Sequence, residues 1–211
     1  LSNSGERIEL VDALGVVQDS VRYADRGNGW ARRTRGPMIG AHQGWDWTAD
    51  HDGGGHSLEL RNAALTNECG YNWSASLNVD GTPGLANSIA TTDVAPLICD
   101  IDHFPEIPSS SDPVNVLAEI VDEQVGTVTA QIWWRTDQAS LFQSIAMADD
   151  GAHGDGTAGD GIFGGTIPAQ PNLAIVEFYI QATDAGSQTQ TCPSASLPSG
   201  IQETNALYQV D

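Results

Sequence analysis

From residue 97 onward, apolar and polar residues alternate in short runs broken by Gly, Pro and Asp, and that pattern leaves few folds open. The runs are 97–104, 114–121, 125–135, 141–148, 161–167 and 174–183, with weaker ones near 188–192 and 206–210. Successive side chains on a strand point to opposite faces. Val114, Val116, Ala118 and Ile120 therefore share a face, as do Val128, Ala130, Ile132 and Trp134. No segment sustains a 3.6-residue period. Residues 112–122 have the length of a short helix, but their β-branched content favours a strand. Short strands at this spacing predict a β-sandwich.

The first half carries the same signals less regularly. Strands are expected at 6–10, 16–23 and 57–60. The stretch from Asp25 to His56 reads as irregular, with Trp30, Trp45 and Trp47 forming a compact side cluster. Residues 78–84 are turn chemistry, and 88–96 are small, polar and end in Pro. The domain boundary is placed there: a first domain over 1–88, a linker over 89–96 and a second domain over 97–211. The opening residues Leu1 to Ser4 read as an internal start, which implies a piece of a longer protein.

Charge narrows the function classes. The 211 residues carry 28 acidic and 8 basic side chains, a net charge of −20. All eight bases are Arg, which excludes a Schiff-base lysine, a P-loop lysine and a lysine general base. Phosphate binding depends on cationic contacts, so nucleic acid is not an expected partner. No apolar run approaches the length of a membrane-spanning helix. The 23 Gly and 10 Pro fit a turn-rich, all-β, extracellular or cell-surface protein.

The sharpest constellation lies between Asp149 and Gly161. Asp149, Asp150, Asp155 and Asp160 fall within these thirteen residues together with five glycines. Uncompensated, the four carboxylates repel one another. Ca2+ takes six to eight oxygen ligands, and Gly lets the backbone turn its carbonyls inward. The four aspartates are the expected ligands of a calcium-stabilised loop. The spacing is not that of an EF-hand, because the bidentate Glu at its twelfth position is missing. A second cluster, His42 to His56 with Asp46, Asp50 and Asp52, has no helical metal-ligand spacing and reads as solvated loop residues. No Gly-x-Ser-x-Gly elbow is present, and no enzymatic activity is expected.

Trp133 and Trp134 are adjacent in a predicted strand, so one faces the core and the other faces outward as a candidate binding residue. Of the three cysteines, Cys99 opens the first strand of the second domain and Cys192 follows its last long strand. First and last strands of sandwiches often lie side by side, which makes Cys99–Cys192 the expected bridge. A Cys69 link across domains is the alternative.

Two family resemblances follow from particular runs. Residues 4–13 (SGERIELVDA), 18–23 (QDSVRY), 55–67 (GHSLELRNAALTN), 72–76 (NWSAS) and 81–87 (GTPGLAN) resemble the later part of a bacterial lamin-tail domain. The opening strands usual in that family have no counterpart here, so the first domain is expected to be N-terminally truncated. Residues 147–163 (MADDGAHGDGTAGDGIF), 167–171 (IPAQP), 176–180 (VEFYI) and 182–184 (ATD) resemble the Ig-like repeats that follow such domains in secreted bacterial proteins. The tail 206–211 (ALYQVD) resembles the link into a spore-coat-H-like kinase domain. The resemblances imply an all-β chain of two tandem immunoglobulin-like β-sandwich domains. They imply a non-catalytic module for adhesion, spacing or assembly, partnered by an extracellular protein, a polysaccharide or another copy of itself. The alternatives are a carbohydrate-binding accessory region of a larger secreted enzyme and a subunit of an extracellular fibre.

Overall fold

A computed structural model describes residues 2, 4–27, 29–40, 42–124, 126–137 and 139–211. Within these the chain is nearly all-β, built from antiparallel sheets. Its contacts divide into two units: Leu1–Val94 with Ser194–Glu203, and Ala95–Pro193 with Thr204–Asp211. The division at Val94 falls inside the 89–96 stretch. The segment Ser194–Glu203 belongs with the first unit although it lies late in the chain.

The second unit holds two sheets. Strands β7 (Leu97–Phe104), β8 (Val114–Val121) and β11 (Ile162–Ile167) form one, in the order β11-β8-β7. Strands β9 (Thr129–Thr136), β10 (Gln143–Met147), β12 (Ile175–Thr183) and β13 (Thr189–Cys192) form the other, with β14 (Ala206–Gln209) also paired to β12. Of the expected run 125–135, Val125 lies outside the described residues. The predicted alternation is the cause of the packing. Val114, Val116, Ala118 and Ile120 of β8 are buried, as are Ala130, Ile132 and Trp134 of β9 and Val176, Phe178, Ile180 and Ala182 of β12. Burying one such aliphatic side chain contributes about 1.5–3 kcal/mol, so these rows supply the main driving force of this unit.

The first unit is assembled differently. It contains three two-stranded sheets: β1 (Glu6–Val11) with β2 (Val17–Tyr23), β3 (Arg32–Ile39) with β4 (His42–Thr48), and β5 (His56–Leu60) with β6 (Trp73–Val79). The β3–β4 hairpin occupies the stretch that reads as irregular in sequence. Trp30 stacks on Trp73 at 6.1 Å, while Trp45 and Trp47 lie on β4, so the expected three-tryptophan cluster is not what forms. Polar groups do much of the work in this interior. The fully buried Asn72 donates to the carbonyls of Asn62 (2.8 Å) and Thr66 (2.9 Å) and accepts from the amide of Asn62. Buried Glu59 accepts from the amide and hydroxyl of Ser88 and from the Thr82 hydroxyl.

The cysteine expectation is corrected. Cys69 and Cys99 are disulfide-bonded, whereas Cys192 is a buried cysteine outside any disulfide. Cys99–Cys192 is not the bridge. Cys192 sits opposite Ile180 in the β12–β13 pair, where it packs as a small apolar side chain.

Candidate functional site

The acidic loop leaves β10 and returns into β11. It is closed at its base by a two-way backbone pair between Ala148 and Gly164, at 2.9 and 2.8 Å. All five of its glycines have positive φ, so the chain turns repeatedly at little steric cost. Gly156 is the tightest of them, because a Cβ there would lie 2.6 Å from Oδ2 of Asp160.

These turns aim backbone N–H groups at the carboxylates. Asp149 accepts from the amides of Gly159, Asp160 and Gly161. Asp155 accepts from Asp150 and Gly151 at 3.0 Å and from His153 at 2.9 Å. Asp160 accepts from Thr157 and Ile162, and Asp150 from Ala152. The repulsion expected among four carboxylates is thus offset by nine backbone donors, each a charge-assisted hydrogen bond. Asp155 is fully buried. Burial alone pushes its carboxyl pKa up, but the amides of His153, Gly151 and Asp150 hold it below the ordinary value. Gly164 of β11 makes room for this arrangement. A Cβ there would meet those of His153 at 2.7 Å and Asp155 at 3.1 Å.

One group of side chains here can hold a metal ion: Asp150, His153 and Asp155, whose ligand atoms all lie within 4.8 Å of one another. Nδ1 of His153 is 3.3 Å from Oδ1 of Asp150. Two carboxylates and an imidazole fit a divalent cation without selecting calcium. Zinc accepts mixed imidazole and carboxylate ligands, whereas calcium takes oxygens. Asp149 and Asp160 lie outside this group, next to a pocket of about 500 Å3 lined also by Ile120, Asp122 and Phe163. His153 is the member that sequence reasoning passed over. It stood inside the quoted run but is not an oxygen ligand.

The second feature is the outer face of the five-stranded sheet. Trp134 points into the core at 6% exposure, and Trp133 points outward and is half-buried. Tyr179 is its cross-strand partner on β12. Their rings lie 6.2 Å apart and within 6° of parallel. Phe142 meets Tyr179 edge-on at 5.3 Å, and the Arg135 guanidinium stacks 4.4 Å from the Phe142 centroid. Polar bonds brace the group. Trp133 Nε1 donates to Gln181 at 2.9 Å, Arg135 donates to Glu177 at 2.6 Å, and Asn205 donates to the other Glu177 oxygen at 2.6 Å. Tyr179, Gln181 and Phe142 were not singled out from sequence. Strand pairing is what brings them beside Trp133.

The histidines of the 42–56 stretch do not converge. His51 bonds the Ala24 carbonyl, and His56 bonds the Ser76 carbonyl at 2.6 Å. Among the described residues no helix is long and apolar enough to cross a membrane. In comparisons with family models and with curated proteins, the chain matches none.

Proposed function

We propose that the chain is a non-catalytic extracellular module for binding and scaffolding, serving adhesion, spacing or assembly. The observation that carries this reading is the braced aromatic face of Trp133, Tyr179 and Phe142. Preorganised aromatic side chains lose little entropy on binding, and that is what a recognition surface needs. The resemblance to lamin-tail and Ig-like domains points the same way, toward an extracellular protein, a polysaccharide or a second copy as partner.

The carbohydrate-binding alternative draws on a specific observation. Near-parallel aromatic rings flanked by the Gln181 amide and the Glu177 carboxylate combine stacking surface with hydrogen-bonding groups, which is how sugar-sized ligands are held. In that reading the chain targets a larger secreted hydrolase or a spore-coat-H-like kinase. Binding to a panel of immobilised glycans and extracellular-matrix proteins tests both. We expect wild-type binding to at least one, lost in W133A and Y179A while the melting temperature holds. Binding that both variants retain would remove this face from the account.

The 149–161 loop is proposed as the site of a stabilising divalent cation. Asp150 and Asp155 offer oxygens for calcium, and His153 favours zinc as the second candidate. Thermal melts with added Ca2+ or Zn2+, against a chelator, should show a higher melting temperature with one ion. D155N should remove that rise. Identical melts under all three conditions would discard the cation.

A further inference from the structure

We propose that the β3–β4 hairpin of the first unit is a binding site for an anionic polysaccharide, one whose sugars carry carboxylate or sulfate groups. This deepens the binding-module reading, on which it rests, by naming the chemistry of a partner. The hairpin pairs Arg33 with Trp47 and Arg35 with Trp45 across its two strands. Alternation places all four side chains on one face. Each guanidinium lies over the facing indole, Arg33 at 4.7 Å from the ring centroid and Arg35 at 4.0 Å. Two arginine–tryptophan rungs thus stand one above the other, separated by two residues, or about 7 Å along the strand.

Stacking fixes the plane of a guanidinium while leaving its in-plane N–H fork open to a carboxylate or sulfate. Among the described residues Arg33 makes no ion pair, and Arg35 gives one nitrogen to Glu203 at 3.1 Å. Arg35 is exposed, and Trp47 is 38% exposed. Between Arg32 and Thr48 three Arg stand against one acid, Asp46, so the hairpin is locally positive even with Glu203 paired to Arg35. Arg32, Arg33 and Arg35 are three of only eight basic residues in a protein of net charge −20.

The same charge balance selects the polyanion. Duplex DNA carries a charge every ~1.7 Å, and tight binding to it takes many cationic contacts. Two rungs on a strongly acidic protein cannot offset that repulsion. A polysaccharide with about one charge per sugar is repelled less, and its apolar ring faces suit the exposed Trp47 indole and the half-buried Trp45 beside it.

The test uses the full chain against immobilised polygalacturonate (carboxylate), iota-carrageenan (sulfate), neutral dextran and duplex DNA at low ionic strength. We expect binding to polygalacturonate or iota-carrageenan, and whichever binds identifies the anion. Affinity should fall as NaCl rises and drop about tenfold or more in R33Q/R35Q, the loss of one or two charge-assisted bonds. R33K/R35K should recover only part of it, because an ammonium lacks the planar fork, and it serves as the folded control if the Gln variant is unstable. R22Q, which removes an exposed Arg of β2 outside the hairpin, should bind as wild type does, and binding that the β9–β12 face supplies would survive R33Q/R35Q, which keeps the two sites separable. The proposal is overturned by absence of binding to both polyanions, by binding that R33Q/R35Q retains, or by DNA binding as tight as either. It is also overturned if sedimentation shows a dimer that R33Q/R35Q dissolves, which would make the hairpin a contact between copies.

Discussion

At the scale of single residues, Asp155 shows how an acidic loop tolerates its own charge. Its carboxylate is fully buried, which alone is costly, yet three backbone amides address it from one turn of chain. Replacing it by Asn sets an NH2 against those N–H groups and removes the charge assistance. We expect D155N to cost about 2–4 kcal/mol, read as a lower urea midpoint at unchanged slope. The pH dependence has a definite sign. The folded pKa is lowered, so the contribution is complete above the unfolded value of about 3.9 and is lost as pH falls through the folded one. Wild type should therefore lose melting temperature in acid faster than D155N, and parallel curves would show that Asp155 is not the group responsible. The sequence displays Asp and Gly clearly. It does not display which amide faces which oxygen, because that depends on five positive-φ turns acting together.

At the scale of elements, legibility follows burial. Strands β8, β9 and β12 were readable because one face of each is core, so apolar residues recur at every second position. The β3–β4 hairpin was not, because its side chains are mostly exposed and its strands read Arg-Arg-Thr-Arg and Gln-Gly-Trp-Asp-Trp, with no apolar alternation to find. Strand β6 hid for the same reason: Leu77 and Val79 are exposed, and polar Ser76 is buried. The link between loop and sheet was equally hidden, since it depends on a missing side chain. Gly164 of β11 lies beneath His153 and Asp155. A methyl group there must push the loop outward, at a cost of about 1–3 kcal/mol for overpacking. G164A should lose hydrogen-exchange protection at the amides of Asp150, Gly151 and His153 while β9 and β12 keep theirs. Uniform loss across the unit would mean that the loop and the sandwich open together.

At the scale of the whole chain, the two units differ in what holds them. Leu97, Ile98, Val114, Val116, Ala118 and Ile120, the β9 and β12 rows, and Tyr208 and Val210 give the second unit a continuous apolar interior between two sheets. Among the described residues the first unit has only two-stranded sheets, which are marginal alone in water. Leu10, Leu14, Ile39 and Leu77 are each at least 65% exposed in it. It also depends on a segment that arrives late in sequence. Leu197 donates to the Arg33 carbonyl, the Ser194 hydroxyl bonds Tyr71, and Glu203 pairs with Arg35. Cutting the chain between Val94 and Ala95 therefore divides the molecule unequally. The piece 95–211 keeps all eight strands of its two sheets, because β14 carries its own pairing to β12. It should fold cooperatively, with 194–203 alone becoming sensitive to protease. The piece 1–94 loses Ser194, Leu197 and Glu203 and with them the closure of its interior, loses the disulfide of Cys69 as well, and should give a broad, weakly cooperative melt. Adding 194–203 back through a flexible linker should sharpen that melt. If 1–94 instead melts as sharply as the full chain, its buried hydrogen bonds around Asn72 and Glu59 are sufficient by themselves, and the late segment contributes attachment rather than stability.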